Sequence, residues 1–349
     1  MPPDDAMGRR SSTFPLPRPN FSHLGHLTDD RGLWEHADHD VPRPEHGFCN
    51  DDNGRALVIT SHEESEDVTD LAEIYLAYVL DSRGPDLTFR NRRDSDGVWI
   101  DERGSDDSQG RALWGLGAMA ARAPRKWMED EALEGFESCS PGFESPYLRA
   151  NAYAALGAAE LIQRGKGRLS AYDLLDRTTA LIARQAGSVT PWPETRLAYD
   201  NARIPQALVA AGVALGDERR TSVGIGLIGW LAAHETNEGR FSFTPVGGRL
   251  PGDREARFDQ QAIEAWAMAD VGHHVFSVTG DAAWCDLALR AGMWLLGTND
   301  SMSVMYDEQS GGTYDGLTAV GVNLNQGAES TLAGLGVLQI AARVQNELV

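Results

Sequence analysis

The sequence predicts an all-α fold in which six helical hairpins close into an (α/α)6 toroid. Two kinds of helical segment alternate along the chain. One kind is amphipathic, with a polar face and a buried face, whereas the other is rich in Ala and Gly and nearly apolar all round after its first turn. Starts of the second kind recur about every 40 to 70 residues, the length of a helical hairpin plus a variable loop.

The amphipathic segments are predicted to form the outer layer of the toroid. Five are recognisable from apolar residues at helical spacing: Asp67–Asp81, Lys126–Phe136, Ser170–Arg184, Arg219–His234 and Asp281–Leu296. A closed toroid needs a sixth outer element. We expect it to be irregular or to come from the polar segment 23–46, which contains Pro42 and Pro44.

The Ala- and Gly-rich segments are predicted to form the inner layer, because small residues allow helices to approach closely. They are Asn53–Thr60, Arg111–Ala121, Tyr147–Ile162, Asn201–Leu215, Gln260–Val271 and Glu329–Val344. Each follows a polar cluster, such as Asp51-Asp52-Asn53 or Asn325-Gln326-Gly327-Ala328-Glu329. In a closed toroid these clusters would surround one funnel, whereas in an α-solenoid, the competing topology, they would line an open surface.

The rest of the chain is assigned more simply. Residues 1–22 are predicted to be a flexible tail, and residues 23–349 a single catalytic domain. Two short β-like stretches, Arg240–Thr244 and Met302–Met305, are expected to form hairpins at the rim of the pocket.

Composition excludes several classes of function. The net charge of −21 and the pI near 4.7 argue against nucleic acid or an anionic membrane surface as a partner. The three cysteines are widely spaced, which favours reduced thiols and a cytoplasmic location. No zinc-ligand spacing, phosphate-binding loop or dinucleotide fingerprint is present, so no metal and no cofactor is predicted; carboxylate-bound calcium is the alternative left open. The oligomeric state is not predicted.

The polar clusters supply the groups that glycoside hydrolysis requires. One carboxylic acid must protonate the leaving oxygen, and a second carboxylate must attack or activate water. Seven acidic residues are candidates: Asp52, Asp107, Glu194, Asp200, Asp259, Asp315 and Glu329. Asp52 and Asp107 are predicted to be the acid/base pair, with Glu194 and Asp200 as next choices. The alternative for each aspartate at a helix start is a plain N-cap.

Further polar and aromatic residues near the clusters are expected to bind the sugar. Amide, guanidinium and carboxylate groups would hydrogen-bond hydroxyls, and aromatic rings would stack on pyranose faces; Trp114, being helical, is instead expected in the core. The residues predicted to bind substrate are His46, Asp51, Asn53, Arg55, Arg111, Trp192, Tyr199, Asn201, Arg203, Asp259, Gln260, Tyr314, Asp315, Asn325, Gln326 and Glu329.

The same motifs carry a resemblance to a known group of proteins. They are His46-Gly47-Phe48-Cys49-Asn50-Asp51-Asp52-Asn53-Gly54-Arg55, Pro191-Trp192-Pro193-Glu194, Tyr199-Asp200-Asn201-Ala202-Arg203, Phe258-Asp259-Gln260-Gln261, Tyr314-Asp315-Gly316-Leu317 and Asn325-Gln326-Gly327-Ala328-Glu329. Over residues 23–345 the chain resembles the helical domain found alone or behind bacterial glycosyltransferase modules, which is similar to the six-hairpin glycosidase superfamily. The chain departs from the pattern at Pro193, where an aromatic residue is expected.

The resemblance implies an (α/α)6-barrel enzyme that cleaves an oligosaccharide, with mannose-containing glycans as the implied setting. The chain has no room for the two Rossmann-like halves of a nucleotide-sugar transferase. Three alternatives stay open: a glycoside phosphorylase, a sugar epimerase, and a non-catalytic glycan-binding or glycosyltransferase-associated domain. An epimerase is expected to need a pair of histidines at the pocket, which the inner-helix starts lack.

Overall fold

A computed structural model describes residues 16–186, 192–253 and 255–348 of the chain. In these ranges twelve α-helices are present: α1 (Ser22–His26), α2 (Asn50–Thr60), α3 (Glu66–Asp81), α4 (Asp106–Arg122), α5 (Lys126–Cys139), α6 (Leu148–Gln163), α7 (Leu169–Ala186), α8 (Arg203–Leu215), α9 (Glu218–His234), α10 (Ala262–Thr279), α11 (Cys285–Leu295) and α12 (Ala328–Glu347).

The even-numbered helices form a closed inner ring. Helix α2 packs on α4, α4 on α6, α6 on α8, α8 on α10 and α10 on α12, and α12 returns to pack on α2. A solenoid would leave its first and last helices apart. The predicted (α/α)6 toroid is therefore confirmed, and the solenoid alternative is wrong.

Glycine sets the spacing within the inner ring. A Cβ atom placed on Gly117 of α4 would lie 2.3 Å from the carbonyl oxygen of Gly157 on α6, and one on Gly157 would lie 2.4 Å from the carbonyl oxygen of Leu113. Both distances are far shorter than van der Waals contact. The two helices can approach this closely only because both positions lack side chains.

The outer layer covers the ring, and its apolar faces account for much of the core. Helices α3, α5, α7, α9 and α11 each pack against the inner helix that precedes them, as the amphipathic pattern predicts. The sixth outer position is taken by α1, a single short helix that packs against α12. Leu16, inside the predicted tail, is buried against α11 at Gly292, whereas residues 1–15 lie outside the described residues.

Several predicted helix starts are displaced, and the displacement matters for the site. Helix α2 begins at Asn50 rather than Asn53, and α4 begins at Asp106 rather than Arg111. The polar clusters of these two helices are therefore parts of their first turns. In contrast, α8 begins at Arg203 and α10 at Ala262, each two residues after the predicted start, so the polar residues before them lie in loops.

In the described part of the chain, five pairs of short antiparallel strands lie around the ring. They are β1 (Thr28–Asp29) with β2 (Gly32–Leu33), β3 (Ala37–Asp38) with β4 (Val41–Pro42), β5 (Phe48–Cys49) with β6 (Arg92–Arg93), β7 (Thr236–Asn237) with β8 (Arg240–Phe241), and β9 (Gly316–Thr318) with β10 (Gly321–Asn323). The predicted stretch Arg240–Thr244 begins with β8. Met302–Met305 is not a strand; the hairpin of this connection is β9–β10, where Gly321 supplies a positive φ of 154°.

Alternate helices of an antiparallel series run in the same direction, so the amino-terminal ends of the six inner helices face one end of the barrel. The hairpin β9–β10 and the loop 244–248 lie at that end. None of the described helices is long and apolar enough to cross a membrane.

Candidate active site

A cavity with two connected parts opens at the amino-terminal end of the inner ring. Lobe A has a volume of about 340 Å³ and includes Glu35, Asp52, Asp259 and Asp315 in its wall. Lobe B, of about 530 Å³, includes Asp107, Tyr199 and Glu264. The residues shared by both walls are Arg55, Arg111, Val246, Gln261 and Glu329.

The acidic residues of this cavity do not serve as helix N-caps. The N-cap positions of the six inner helices are held by Cys49, Ser105, Tyr147, Ala202, Gln261 and Gly327. Asp52 and Asp107 lie inside the first turns of α2 and α4, where the helix dipole favours negative charge. Capping therefore does not explain why these positions are acidic.

A single arginine bridges Asp52 and Glu329 at the boundary of the lobes. Arg55 Nη1 lies 2.5 Å from Asp52 Oδ1, and Arg55 Nη2 lies 2.6 Å from Glu329 Oε2. The two carboxylate oxygens can be no more than about 7 Å apart, the span of two charge-assisted hydrogen bonds and one guanidinium group. Glu329, in the first turn of α12, therefore meets Asp52 across the barrel although 277 positions separate them.

The environments of these two carboxyl groups differ. Asp52 is 3% exposed, and burial raises its pKa from 3.8 to about 6 despite the opposing charge of Arg55. Its second oxygen, Oδ2, accepts a hydrogen bond of 3.1 Å from the Cys49 thiol. The side chain of Glu329 is 35% exposed and open to water. Asp52 is thus buried and retains its proton to a higher pH than an ordinary aspartic acid does. Glu329 faces the solvent.

A second network joins Asp51 and Asp107 through Arg111. Arg111 Nη1 donates to Asp51 at 2.7 Å, and its Nη2 lies 3.9 Å from Asp107 Oδ2. Burial alone would raise the pKa of Asp51, but the charges of Arg111 and Arg55 hold it below its usual range. The hydroxyl of Tyr199 donates to Asp107, and this ring is 41% exposed in lobe B. Tyr199 is thus placed where it can stack on a sugar.

Two further predicted residues line lobe A. Asp259 is exposed, and its carboxylate makes no hydrogen bond to the described residues. Asp315 accepts a hydrogen bond of 2.8 Å from the backbone N–H of Gly327, and burial raises its pKa. His46 lies outside the wall, with its ring centroid 5.0 Å from that of His36, which lines lobe A.

Glu194, Asp200 and Asn201 lie behind the wall and not in it. Arg149 Nη1 donates to Glu194 at 2.7 Å, and Arg149 Nη2 donates to Asn201 at 2.9 Å. Asp200 is 1% exposed and accepts a hydrogen bond of 2.7 Å from Tyr153. Glu194 and Asp200, the second-choice catalytic residues, therefore stand where they can support the wall but do not line either lobe.

Several predicted sugar ligands have structural partners instead. Trp192 is fully buried and stacks on Trp230 at a centroid distance of 5.8 Å, while Pro191 lies outside the described residues. The guanidinium of Arg203 lies 4.6 Å from the ring of Trp114 and 4.4 Å from that of Trp266, and its Nη1 is 2.5 Å from Asp270. Trp114 is in the core, as the sequence predicts.

Four amide side chains predicted to bind sugar hydroxyls accept hydrogen bonds from loops and strands of the chain itself. Asn53 accepts from the N–H of Leu33, Gln260 accepts from the N–H of Phe243, Asn325 accepts from the N–H of His39, and Gln326 accepts from the hydroxyl of Ser310. Tyr314 packs against the core. These five residues do not line the lobes; Gln261, one position after Gln260, does.

Two acidic residues of the cavity were missed from the sequence. Glu264, in the first turn of α10, is 3% exposed and accepts hydrogen bonds from the backbone N–H groups of Asp200 and Asn201. Burial, with the charges of Glu235 and Asp200, raises its pKa well above the usual range. Like Asp107 and Glu329, Glu264 lies in the first turn of an inner helix. A search for acidic residues in the first turns of the inner helices would have found it. Glu35 lies in a loop and has no such signal.

The Glu35, Cys49 and Asp52 side chains form the one grouping of potential metal ligands among the described residues, with ligand atoms within 4.8 Å of one another. Each already has another partner. Glu35 is paired with Arg92, Asp52 with Arg55, and the Cys49 thiol donates to Asp52. Burial, together with the charge of Asp52, raises the pKa of this thiol well above its usual range, so the arrangement suits a protonated thiol.

Comparisons with known proteins identify the fold. No family model and no curated protein sequence matches the chain. Among solved structures, it is similar to a cellobiose 2-epimerase from Spirochaeta thermophila (12% identity, 93% of each chain covered, TM-score 0.68) and to a GH76 α-mannanase from Bacteroides thetaiotaomicron (12% identity, 94% of each chain, TM-score 0.66). A D-mannose isomerase is also similar (13% identity, 92% of this chain and 94% of the other, TM-score 0.63).

Proposed function

We propose that the chain is a carbohydrate-active enzyme, and specifically a glycoside hydrolase that cleaves an oligosaccharide in the two-lobed cavity. The observation that carries the proposal is the Asp52–Arg55–Glu329 bridge at the boundary of the lobes. A glycosidase needs two carboxyl groups about 5 to 9.5 Å apart in different environments. The span of one guanidinium is compatible with that range, and the two groups differ in burial.

In this mechanism Asp52 is the general acid. Its pKa of about 6 keeps part of the population protonated near neutral pH. The proton would sit on Oδ2, the oxygen that faces away from Arg55. Asp52 would transfer it to the glycosidic oxygen as the bond to the anomeric carbon breaks, and would recover a proton from water in each cycle.

Glu329 is the proposed second carboxylate, acting as nucleophile or as general base toward water. It lines both lobes, whereas Asp107, the partner predicted from the sequence, lines lobe B alone. We therefore propose a binding role for Asp107. Asp107 and Tyr199 would hold the part of the sugar chain that lies in lobe B, across the scissile bond from the part in lobe A. The ring of Tyr199 would lie against a pyranose face.

For the substrate we propose a mannose-containing oligosaccharide. The sequence motifs resemble a domain associated with mannose-containing glycans, and an α-mannanase is among the similar structures. Association with a glycosyltransferase is part of the same proposal. A cytoplasmic location is proposed because all three cysteines are free and buried.

Epimerisation is the second candidate. Proteins described as a cellobiose 2-epimerase and a D-mannose isomerase share the fold, and His36 and His46 lie together at the mouth of lobe A. Removing a proton from one face of a carbon and returning it to the other needs two acid/base groups on opposite sides. The two rings are edge to face at 5.0 Å and do not flank a sugar from both sides, which favours hydrolysis.

The experiment is an incubation with mannan fragments, other oligosaccharides and aryl glycosides, followed by NMR and chromatography of the products. Hydrolysis predicts new reducing ends without added phosphate. Sugar 1-phosphates formed only in phosphate buffer would identify a phosphorylase, and a product of unchanged chain length with an inverted carbon would identify an epimerase. Binding without any product would identify a glycan-binding protein and would refute catalysis.

A further inference from the structure

A second cavity lies at the opposite end of the barrel, where the inner helices end. It has a volume of about 300 Å³, and Arg122 of α4, Glu160 of α6, Asp270 of α10 and Arg343 of α12 are in its wall. We name it the basal cavity. The indole rings of Trp114 and Trp266 also line it, and the guanidinium of Arg203 lies against both rings. The basal cavity shares no lining residue with either lobe of the candidate active site.

Two arginines of the basal cavity have unused hydrogen-bond donors. Arg122 Nη2 lies 2.5 Å from Glu160, but its Nη1 is buried and has no hydrogen-bond partner. The guanidinium of Arg343 makes neither an ion pair nor a hydrogen bond with any residue in the described part of the chain. The Arg122 Nη1 group is a buried donor without an acceptor, which costs free energy, so such a group usually has water or a ligand as a partner. The side chain of Arg343 is partly exposed, so its donors are accessible to water or to a ligand in the cavity.

Three acidic side chains, Asp270, Glu160 and Glu63, act on Arg343 through their charges, but each is bonded to another residue. Glu160 is paired with Arg122, and Asp270 is paired with Arg203 at 2.5 Å. His62 also lines the cavity. Burial, and then the positive charges of Arg343 and Arg122, lower the pKa of His62 well below its usual range. Among the described residues Arg343 is therefore left without a bonded carboxylate, in a chain whose net charge is −21.

Helix dipoles explain only part of this arrangement. Basic side chains are favoured at helix carboxyl ends, and Arg122 is the last residue of α4. Arg343, however, lies four positions before the end of α12 at Glu347. A dipole also supplies no acceptor for the remaining N–H groups, because the helix carbonyls that far from the end are bonded within the helix.

We propose that the basal cavity is a second ligand site, which binds a small anion through a phosphate or carboxylate group held by Arg122 and Arg343. The planar guanidinium presents paired donors that match the oxygens of either group. A volume of about 300 Å³ lies at the lower end of small-molecule pockets, which suits inorganic phosphate, a dicarboxylate or a sugar phosphate. This site does not depend on the function proposed for the other end of the barrel.

The test is isothermal titration calorimetry of the full chain with inorganic phosphate and, separately, with malonate, at constant ionic strength in chloride buffer. We expect saturable binding of at least one of them. Arg343→Gln should weaken it about tenfold or more, the loss expected for charge-assisted hydrogen bonds to one guanidinium. Arg343→Lys, which keeps the charge and loses the paired donors, should bind with intermediate affinity.

Arg164→Gln is the matched control, because Arg164 follows α6 at the same end, is exposed and does not line the cavity. It should bind the anion as the wild type does. The comparison of phosphate with malonate identifies the favoured group.

Absence of binding of both anions at millimolar concentration would refute the proposal and leave water as the occupant. Equal weakening by Arg164→Gln and Arg343→Gln would also refute it, since a diffuse charge effect would then suffice. If Arg343→Gln does not fold, Arg343→Lys carries the same comparison.

Discussion

Replacement of Asp52 by asparagine separates the catalytic role proposed for this residue from any structural role. The change preserves shape and removes both the charge and the acidic proton. General acids contribute about 10²- to 10⁴-fold to turnover, so kcat for an unactivated oligosaccharide should fall by about that factor. In the wild type, kcat/KM should decline as pH rises above about 6, because the required proton is then lost.

The same substitution has a predicted effect on stability. The pKa of Asp52 rises from 3.8 to about 6 on folding, which corresponds to about 3 kcal/mol. Because the native state binds this proton more tightly than the unfolded state, this contribution is full below pH 3.8 and is lost as pH rises through about 6. Asparagine cannot ionise. The free energy of unfolding of Asp52→Asn, relative to the wild type, should therefore increase by up to about 3 kcal/mol between pH 4 and pH 7.

Two assays on the same samples test the predicted changes in kcat and in the free energy of unfolding. Urea denaturation at pH 4, 5, 6 and 7 gives the stability difference, and initial rates of oligosaccharide cleavage give kcat. Asp67→Asn, on the exposed face of α3, is the control and should change neither. The reasoning is refuted if Asp52→Asn keeps kcat within tenfold of the wild type, or if it becomes less stable relative to the wild type as pH rises.

The remaining predictions concern the second carboxylate, the sugar contact and the helix packing. Glu329→Gln should lower kcat about 10³-fold, and azide should restore part of the turnover of activated aryl glycosides; an effect below tenfold would exclude Glu329 as nucleophile or base. Asp107→Asn should raise KM about tenfold with kcat within a few-fold of the wild type, whereas a 10³-fold loss of kcat would return Asp107 to the catalytic pair. Gly117→Ala should destabilise the fold by about 1 to 3 kcal/mol in urea denaturation, because its Cβ would meet the carbonyl oxygen of Gly157 at 2.3 Å. Gly226→Ala, in α9 with no heavy atom within 4 Å of the new Cβ, is its control and should be neutral or stabilising by up to about 1 kcal/mol.

The fold could be predicted because its evidence is local. The alternation of apolar, Gly- and Ala-rich helices with amphipathic ones is visible in short windows of sequence, and it predicts inner and outer layers directly. The sixth outer position could be narrowed only to an irregular element or the segment 23–46, since α1 (Ser22–His26), which takes it, has five residues, too few to show a helical period. The sequence predicts a strand at Met302–Met305, but the structure has none there, and the hairpin of this connection is β9–β10.

Residues of the cavity wall could be predicted where a polar cluster coincides with a first helical turn, as at Asp52 and Asp107. They could not be predicted where neighbouring residues face different directions. Gln260 is fully buried and accepts a hydrogen bond from the backbone of Phe243, in the loop after β8, while the adjacent Gln261 lines the cavity. Trp192, which the sequence predicts to bind substrate, is fully buried and stacks on Trp230. Pairings such as Arg55 with Glu329 depend on closure of the ring, which a local pattern does not encode.

A crystal structure of Asp52→Asn with an uncleaved oligosaccharide tests the central claim most directly. The account predicts that the sugar chain spans lobes A and B, with a glycosidic oxygen within hydrogen-bonding distance of the side chain at position 52 and the anomeric carbon facing Glu329. Electron density for the sugar outside the two lobes, or within lobe A alone with a ring carbon against His36, would contradict glycosidic cleavage at this boundary.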